Sequence, residues 1–387
     1  MTEKLYYKDP YLKEFDSIVA EVRKTEQGCW CRLRETAFYP EGGGQPWDEG
    51  SLLPENKEKV SVLEVQEEQD GIWHKLSSEI ELGMQVHGVI DWERRFDHMQ
   101  QHSGEHIVSG MICSRFQCDN VGFHMGEDTV TIDYNAPISF EQVLQIETEA
   151  NHYIWENHAF EELWPNLEEL KKIDYRSKKE LSGAVRITRF PGADTCACCG
   201  THVASSSEVG LVKFISAKNF HEGTRLELYC GKRAMDYLSM NFMSNKAVAV
   251  LLSTKEEKCP ELVKKLIEEK TSLKSELSAM ENRYLTLRAE SVKGQTDVLM
   301  IDDCLSPDQG RVLADKIAEN CTGKIVVMVG KDENYRYSVI CRNQDISLFV
   351  KEMNAALQGR GGGRDGFAQG SVNASKEQIE AFFKDKK

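Results

Sequence analysis

The sequence predicts an α+β protein of two to three domains, and three observations support this fold class. Residues 1–90 are rich in β-branched and aromatic residues with partial alternation, which is typical of strands. Residues 232–293 repeat apolar side chains every three or four positions, which indicates helix. Residues 294–387 place a helical segment between two short apolar strands, the pattern of a βαβ unit. A chain of 387 residues has the length for this organisation.

Composition argues against a membrane-spanning or secreted protein. The hydrophobic fraction is 40%, and no apolar run reaches the length of about 18 residues that suggests a membrane span. The N-terminal segment MTEKLYYKDPYLKEF is charged and has no apolar signal-peptide core, so we expect a cytoplasmic protein. There the 12 cysteines are expected as reduced thiols or metal ligands, and the tight cluster among them is Cys196, Cys198 and Cys199.

The net charge of −15 argues against nonspecific binding of polyanions. One short stretch is basic nevertheless. This basic island consists of Lys171, Lys172, Arg176, Lys178, Lys179, Arg186 and Arg189. It is either a contact for nucleic acid or an ordinary solvated helix face.

The N-terminal region, residues 1–90, is predicted to form a small β-barrel. The segments FDSIVAEVRK and GCWCRLRETAFYP have strand composition, and VSVLEVQEEQDGIWHKLSSEI has that of a hairpin that turns near Asp70-Gly71. The Gly-rich segment Pro40–Gly50, PEGGGQPWDEG, interrupts the strands, and its glycines permit positive φ and close approach of another backbone.

Three further segments follow. Residues 91–240 begin with a helix and continue with strands, a second helix from Ser139 and a hairpin. Residues 241–293 are expected to form a helical linker, either a short coiled coil or a helical hairpin, with a helix start at Cys259-Pro260. Residues 294–387 form the predicted C-terminal α/β domain, which contains a second Gly-rich stretch, GRGGGRDGFAQGSV.

Two segments carry candidate metal ligands, Arg94–Gly110 (RRFDHMQQHSGEHIVSG) and Thr195–Val203 (TCACCGTHV). Histidines four positions apart on a helix project from one face. Zinc prefers imidazole nitrogen and thiolate sulfur in a tetrahedral array. We predict one zinc ion per chain, held by His98, His102, Cys198 and His202.

Alternatives to this ligand set remain open. His106 lies on the same helix face and is an alternative to one of the helical histidines, and Cys196 or Cys199 is an alternative to Cys198. Four protein ligands close a tetrahedral site, as in structural zinc sites, whereas catalysis needs a position for water or substrate. Glu105 is a candidate catalytic base, a partner for a ligand ring N–H, or an ordinary solvated glutamate.

Four motifs in the same order resemble the alanyl-tRNA editing proteins of AlaX type, relatives of the editing domain of alanyl-tRNA synthetase. His98–His102 resembles the family's HxxxH, and Cys198–His202 resembles its CxxxH, with Cys199 where the family often has glycine. FYPEGGGQPWDEG resembles the Gly-rich motif of the longer members, and GRGGGRDGFAQG resembles the end of the domain called DHHA1. The resemblance implies a threonyl/alanyl-tRNA synthetase-type editing domain over 91–240 and a DHHA1-like domain over 294–387.

The resemblance implies a zinc-containing hydrolase that removes a wrong amino acid, mainly serine and also glycine, from tRNA(Ala). It implies that His124, in VGFHMG, faces the substrate as a catalytic and pocket residue. Thr129 and Thr131 are further pocket candidates, or ordinary strand residues. No synthetase is expected, because the chain begins at the barrel and no ATP-binding arginine motif is visible.

The residues expected to contact tRNA are Gly42, Gly43, Gly44, Gln45, Lys178, Lys179, Arg186, Arg360 and Arg364. The coiled coil and the C-terminal domain are alternatively a homodimerisation module. The main rival function is a non-catalytic tRNA- or protein-binding module with a structural zinc. A DHH-type phosphoesterase is disfavoured, because the aspartate clusters that it requires are absent from the sequence.

Overall fold

The computed structural model describes residues 1–26, 28–55, 58–127, 129–177 and 185–386. This chain separates into two compact units, Met1–Ala247 and Val248–Lys387. Within the described ranges, no helix combines the length and the apolar composition needed to cross a membrane.

The first unit opens with a closed six-stranded barrel, which confirms the predicted N-terminal barrel. Two short strands, β1 (Glu3–Lys4) and β4 (Glu35–Thr36), pair in parallel. The barrel strands are β2 (Glu14–Thr25), β3 (Gly28–Leu33), β5 (Gly50–Pro54), β6 (Val60–Glu68), β7 (Gly71–Leu76) and β8 (Gln85–Ile90), in the order β2-β3-β7-β6-β5-β8. Alternation places one side of each strand in the interior, where Leu33, Leu52 and Val65 are fully buried. Closure of the barrel gives each described strand two neighbours.

The rest of the first unit is a mixed α/β region. Its elements are α1 (Trp92–Phe116), β9 (Asn120–Met125), β10 (Val130–Tyr134), α2 (Phe140–Trp155), β11 (Glu161–Leu163), α3 (Leu167–Leu170), β12 (Ile187–Phe190), β13 (Asp194–Ala197), β14 (Val212–Phe220) and β15 (Gly223–Cys230). Helix α4 (Gly231–Leu251) follows and contains the boundary between the two units. An antiparallel sheet has the order β14-β15-β10-β9, and a smaller one has the order β11-β12-β13. Helix α1 packs against both sheets and α2, so its central residues are almost all buried.

Helix α1 is fixed at both ends by local chemistry. The Asp91 carboxylate accepts a hydrogen bond from the Arg94 backbone N–H at 3.1 Å, a side-chain N-cap that satisfies one of the helix's unpaired donors. The helix ends where Gln117 adopts the left-handed conformation, with φ of 49°.

A buried ion pair joins α1 to the Gly-rich segment. Arg95 and Asp48 are both fully buried, and the Arg95 Nε–H donates to Asp48 Oδ1 at 2.9 Å. The remaining guanidinium donors reach the carbonyl oxygens of Pro10 and Ala37, and Asp48 Oδ2 also accepts from the Tyr39 backbone N–H at 2.6 Å. Complete pairing is the condition under which two charges can be taken out of water.

The second unit contains the long helix α5 (Cys259–Glu290), which begins at the predicted Cys259-Pro260. Its other elements are β16 (Thr296–Asp302), α6 (Pro307–Ala318), β17 (Thr322–Lys331), β18 (Asn334–Ile340), α7 (Ser347–Ala356), β19 (Arg360–Arg364), β20 (Phe367–Asn373) and α8 (Lys376–Asp385). The sheet order is β16-β17-β18-β20-β19, and β16 and β17 run parallel with α6 between them, which confirms the predicted βαβ unit. The second Gly-rich stretch forms the β19–β20 hairpin, in which β19 is an exposed edge strand.

Replacing Asp48 with alanine leaves the Arg95 guanidinium buried without its counter-charge. We expect the free energy of unfolding of the first unit to fall by about 3–5 kcal/mol, the usual cost of removing one partner of a buried ion pair. All six tryptophans lie in the first unit, so urea unfolding followed by tryptophan fluorescence reports on that unit.

The matched control is Glu79→Ala, which breaks an ion pair with Lys24 whose side chains are 69% and 65% exposed. Exposed pairs contribute little to stability, so this variant should unfold close to the wild type. Equal losses in the two variants would contradict a special role for the buried pair.

Candidate metal centre

Four side chains with metal-binding atoms meet inside the first unit: His102, His106, Cys198 and His202. Their ligand atoms all lie within 4.8 Å of one another. His102 and His106 stand one turn apart on α1, whereas Cys198 and His202 come from the segment that follows β13. Two distant parts of the chain therefore supply one cluster.

The distances in the cluster fit a tetrahedral zinc site. Cys198 Sγ lies 3.4 Å from His102 Nε2 and 3.4 Å from His202 Nε2. Zinc–sulfur and zinc–nitrogen bonds of ordinary length, at a tetrahedral angle, separate S and N by about 3.5 Å. Three imidazoles and one thiolate are also a donor set that zinc favours. The residues present therefore fit a zinc ion.

Each imidazole is held through its Nδ1 atom, so Nε2 is the atom left for the cluster. His102 Nδ1 lies 2.9 Å from Gln45 Oε1, and His106 Nδ1 lies 2.7 Å from Asp194 Oδ2. His202 Nδ1 lies 3.3 Å from Ser103 Oγ. Partners of this kind orient the ring and make its other nitrogen a better ligand.

Gln45, from the Gly-rich segment, links three parts of the site. It is fully buried, and its Oε1 faces His102 while also accepting from the Thr201 backbone N–H at 3.1 Å. Its Nε2 donates to Thr201 Oγ1 at 2.9 Å. Gly44 precedes it at φ of +86°, and a Cβ there would lie 2.5 Å from the Phe123 ring, so only glycine suits this position.

The Cys198–His202 loop approaches α1 closely. A Cβ on Gly200 would lie 2.1 Å from His102 Cε1, so the loop reaches the histidine ring only because residue 200 is glycine. Arg186 supports the loop from its other side, since its Nη1 donates to the carbonyl oxygens of Cys198 and Gly200 at 3.1 and 2.7 Å.

The electrostatics favour a thiolate at Cys198. Burial alone would raise the pKa of this thiol, but His102, His106 and His202 outweigh burial and hold the pKa well below its ordinary value. Burial also lowers the pKa of His106, but Cys198 and Asp194 overcome it and raise that pKa to about 10. Burial lowers the pKa of His202 to about 3. A proton thus accompanies the thiolate, and binding of a metal cation would release it.

The predicted ligand His98 lies outside the cluster, and His106 occupies the place that the prediction gave to His98. His98 is 2% exposed, its Nδ1 has no hydrogen-bond partner among the described residues, and it is not part of the four-residue cluster. His98 and His106 are each four positions from His102, so spacing does not distinguish them. The position of the Cys198–His202 loop determines which of the two joins the cluster. Ala193 and Asp194 lie against Gly110, which brings the loop to the His102–His106 turn.

The predicted substrate residues His124 and Thr131 lie on the face of the sheet that is opposite to the cluster. His124 pairs with Thr131, whereas Phe123 pairs with the fully buried Ile132. The Phe123 ring stacks on His102 with centroids 5.3 Å apart. Because successive side chains alternate between faces, His124 and Thr131 point away from the cluster, and Phe123 is the strand residue at the site. Thr129 lies after this strand, where its carbonyl accepts from the Gly126 N–H at 2.9 Å.

Glu105 lies beside the cluster and is buried, so it is not a solvated glutamate. Its Oε1 accepts from Ser109 Oγ at 2.8 Å and from Asn120 Nδ2 at 2.6 Å. Its Oε2 lies 3.9 Å from His106 Nε2. The carboxylate is thus held next to a ligand of the site.

Two of the residues predicted to contact tRNA have other roles. Gln45 and Arg186 are buried and bind the protein itself, so neither offers a surface to nucleic acid. Gly43 is exposed, and Gly42 and Gly44 are half-buried. Arg360 and Arg364 are exposed on β19. Lys178 and Lys179 lie outside the described residues.

The described arginines of the basic island are paired with carboxylates. Arg176 binds both oxygens of Asp194, at 2.7 and 2.9 Å. Arg186 donates to Glu162, and Arg189 lies 3.3 Å from Glu161. These pairs neutralise much of the charge that the sequence predicted for an exposed patch.

Family models match three parts of the chain. "tRNA synthetases class II (A)" matches residues 4–94, "Threonyl and Alanyl tRNA synthetase second additional domain" matches 185–226, and "DHHA1 domain" matches 294–386. The last two matches agree with the predicted editing-type and DHHA1-like domains.

Curated relatives match nearly the whole of this chain. Alanyl-tRNA editing protein AlaX-L of Pyrococcus horikoshii is 30% identical over 98% of this chain and 96% of its own length. Alanyl-tRNA editing protein Aarsd1 of Danio rerio is 27% identical over 98% of this chain and 96% of its own. Alanine–tRNA ligase of Pyrococcus abyssi is 31% identical over 99% of this chain, which spans 43% of that longer protein.

Single substitutions should separate zinc ligands from bystanders. We expect Cys198→Ser and His106→Gln to lose most bound zinc, because each removes one of four donors. Cys199→Ser, Cys196→Ser and His98→Gln should keep about one zinc per chain. Elemental analysis of purified protein measures the ratio, and full zinc in the Cys198 or His106 variant would contradict the assignment.

Gln45→Ala should weaken zinc binding although Gln45 is not a ligand. Loss of the contact to His102 Nδ1 should lower zinc affinity roughly 10–100-fold, as measured by competition with a chromophoric chelator. Gln66→Ala, at an exposed barrel position, is the control and should bind as the wild type does. Equal affinity in the two variants would argue against the role of Gln45.

Proposed function

The chain belongs to the family of alanyl-tRNA editing proteins of AlaX type, and we propose that it hydrolyses the ester bond of mischarged tRNA(Ala). The proposed main substrate is Ser-tRNA(Ala), with Gly-tRNA(Ala) as a second. The observation that carries the proposal is the cluster of three imidazoles and one thiolate, which supports a zinc site in a chain similar over its whole length to named editing proteins.

The proposed cofactor is one zinc ion, with His102, His106, Cys198 and His202 as ligands. Such an ion would supply a Lewis-acid centre and a fixed anchor for a polar group of the substrate. An aminoacyl ester is already reactive, so the protein's task is mainly to position the ester and a water molecule.

Glu105 is the proposed acceptor for the proton of the attacking water. Burial beside His106, with Ser109 and Asn120 donating to its Oε1, fixes the orientation of the carboxylate. A base held in one orientation is effective only if the substrate is also held within hydrogen-bond reach. Phe123, stacked on His102, provides an apolar wall that supports this placement.

The chain must also refuse correctly charged Ala-tRNA(Ala). Serine differs from alanine by one hydroxyl group, and a site that hydrogen-bonds this hydroxyl leaves polar groups unpaired when alanine enters. Thr129 is retained as a candidate for this contact. The metal site itself is a second candidate, because its polar groups lie in a buried environment.

We propose two separate contacts with tRNA. Gly42–Gly44 are the proposed contact with the acceptor end, and the exposed Gly43 is its centre. The flanking glycines are held in place, because the Gly42 N–H donates to the Gln45 carbonyl and the Gly44 carbonyl accepts from the Met125 N–H. In the second unit, Arg360 and Arg364 stand on the exposed strand β19, where cationic side chains suit phosphate. The proposed substrate also places the protein in the cytoplasm.

A second candidate function is a non-catalytic tRNA- or protein-binding module. Its support is the four-ligand cluster, because four protein donors complete a tetrahedral zinc site without a place for water. This candidate predicts bound zinc and retention of tRNA without turnover.

A paired deacylation assay tests the proposal. The wild type should release serine from Ser-tRNA(Ala) much faster than alanine from Ala-tRNA(Ala), and His102→Ala should lose at least about 100-fold in rate, as loss of a metal ligand implies. His124→Ala is the control, since this exposed side chain points away from the cluster, and it should remain active. Hydrolysis no faster than in buffer would favour the binding module.

A further inference from the structure

An exposed aromatic side chain stands close to the loop that carries Cys198. Trp164 directly follows strand β11, and 53% of it is exposed, although proteins usually cover most of a tryptophan. Its ring meets that of Tyr7 edge to face, with centroids 5.6 Å apart and planes inclined at 73°. The Tyr7 Oη–H in turn donates to the carbonyl oxygen of Cys199 at 3.1 Å. We call Trp164 and Tyr7 the aromatic corner.

A series of hydrogen bonds ties Trp164 to the loop of the candidate ligands. The Trp164 Nε1–H donates to Glu162 Oε1 at 2.6 Å, and Glu162 Oε2 accepts from Arg186 Nη2 at 2.5 Å. Arg186 Nη1 donates to the carbonyl oxygens of Cys198 and Gly200. The indole is therefore held in a fixed position relative to the loop. Since its N–H group is already bonded, the part that it offers to a ligand is the apolar surface of the ring.

Tyr7, the second wall of the corner, is also held in place. Its ring packs edge to face on that of Tyr6 at 4.6 Å, and Tyr6 is 1% exposed. Arg186 Cζ lies 5.0 Å and Lys4 Nζ lies 5.5 Å from the centroid of the Tyr7 ring, as in cation–π contacts. A ligand that binds to the corner therefore has little side-chain freedom to remove, which favours its binding.

We propose that the aromatic corner stacks an unpaired base at the 3′ end of the tRNA, an inference that rests on the proposed editing of mischarged tRNA(Ala). Stacking of a base uses the face of an aromatic ring and needs no hydrogen bond from the indole. The bases at a single-stranded RNA end are free to stack on aromatic side chains in this way. Trp164 offers the exposed face, and Tyr7 limits its position from the side.

The position of the corner favours this ligand. Cys199 is exposed and follows Cys198 directly, so the Tyr7 hydroxyl lies about one residue from the cluster, and Trp164 stands one ring further out. Stacked bases of one strand are about 3.4 Å apart. With the aminoacyl ester held at the cluster, the last two or three nucleotides therefore reach Trp164.

Binding of two RNA hairpins tests the corner. One hairpin has the acceptor stem of tRNA(Ala) with its single-stranded 3′ end, the other lacks that end, and both carry a 5′ fluorescein for anisotropy titration. Trp164→Ala should raise the dissociation constant of the complete hairpin about 5- to 100-fold, the usual loss for one stacked base. It should leave the truncated hairpin unaffected. Trp164→Phe keeps an aromatic face and should lose much less.

The matched control is Trp155→Ala, which removes a tryptophan that is 66% exposed at the end of α2. This variant should bind both hairpins as the wild type does, and circular dichroism checks that each variant is folded. Unchanged binding of the complete hairpin by Trp164→Ala would overturn the proposal. So would an equal loss for the two hairpins, because it would place the effect of Trp164 elsewhere than at the single-stranded end.

The two proposals can fail separately, because the hairpins are uncharged and their binding requires no hydrolysis. If the wild type deacylates Ser-tRNA(Ala) but Trp164→Ala binds the complete hairpin normally, the aromatic corner is overturned and the editing function stands. If the wild type hydrolyses no ester but binds the single-stranded end through Trp164, the editing function is overturned and the corner stands as an RNA-binding site.

Discussion

The contact between Gln45 and His102 is the constraint on which the candidate metal centre depends. Gln45 stands in the barrel's Gly-rich segment, His102 on the central helix, and Thr201 in the loop that carries Cys198 and His202. One buried amide therefore fixes the relative positions of three parts of the chain. The ion pair between Arg95 and Asp48, two turns earlier on the helix, also holds the Gly-rich segment against the helix. The barrel acts as a support that holds the helix in register with the loop.

Carboxylates surround the candidate ligands, and an arginine in turn pairs with one of these carboxylates. Three neutral imidazoles and one thiolate leave a bound zinc ion with positive charge, which a buried site must compensate. Asp194 supplies a carboxylate through His106, and Arg176 in turn binds that carboxylate with two hydrogen bonds. Glu105 adds a second carboxylate on the other side of the same histidine ring. The positions of these groups explain why charged residues are tolerated at full burial here.

The barrel, the βαβ unit and the start of α5 were predictable, because each follows from local composition or from a proline. The convergence of His102, Cys198 and His202 was also predictable from residue type and spacing. The choice between His98 and His106 was not predictable, because both have the same spacing from His102. The point at which a distant strand crosses the helix determines which histidine joins the cluster. A weak signal was present in Gly110, where the absence of a side chain lets Ala193 and Asp194 approach the helix. The face on which His124 lies was also not predictable, because a shift of one residue along a strand moves a side chain to the opposite face.

The residues of the candidate metal centre are far apart in the sequence, and this separation sets the order in which parts of the site can fold during synthesis. His102 and Cys198 are 96 positions apart, and Gln45 and His102 are 57 apart. While the chain is still being synthesised, the barrel is complete long before the second pair of ligands leaves the ribosome. Binding of a metal ion at the candidate site would therefore be a late event, which requires an already folded N-terminal half. A metal ion retained by the purified protein would therefore indicate that the N-terminal half of the chain has folded.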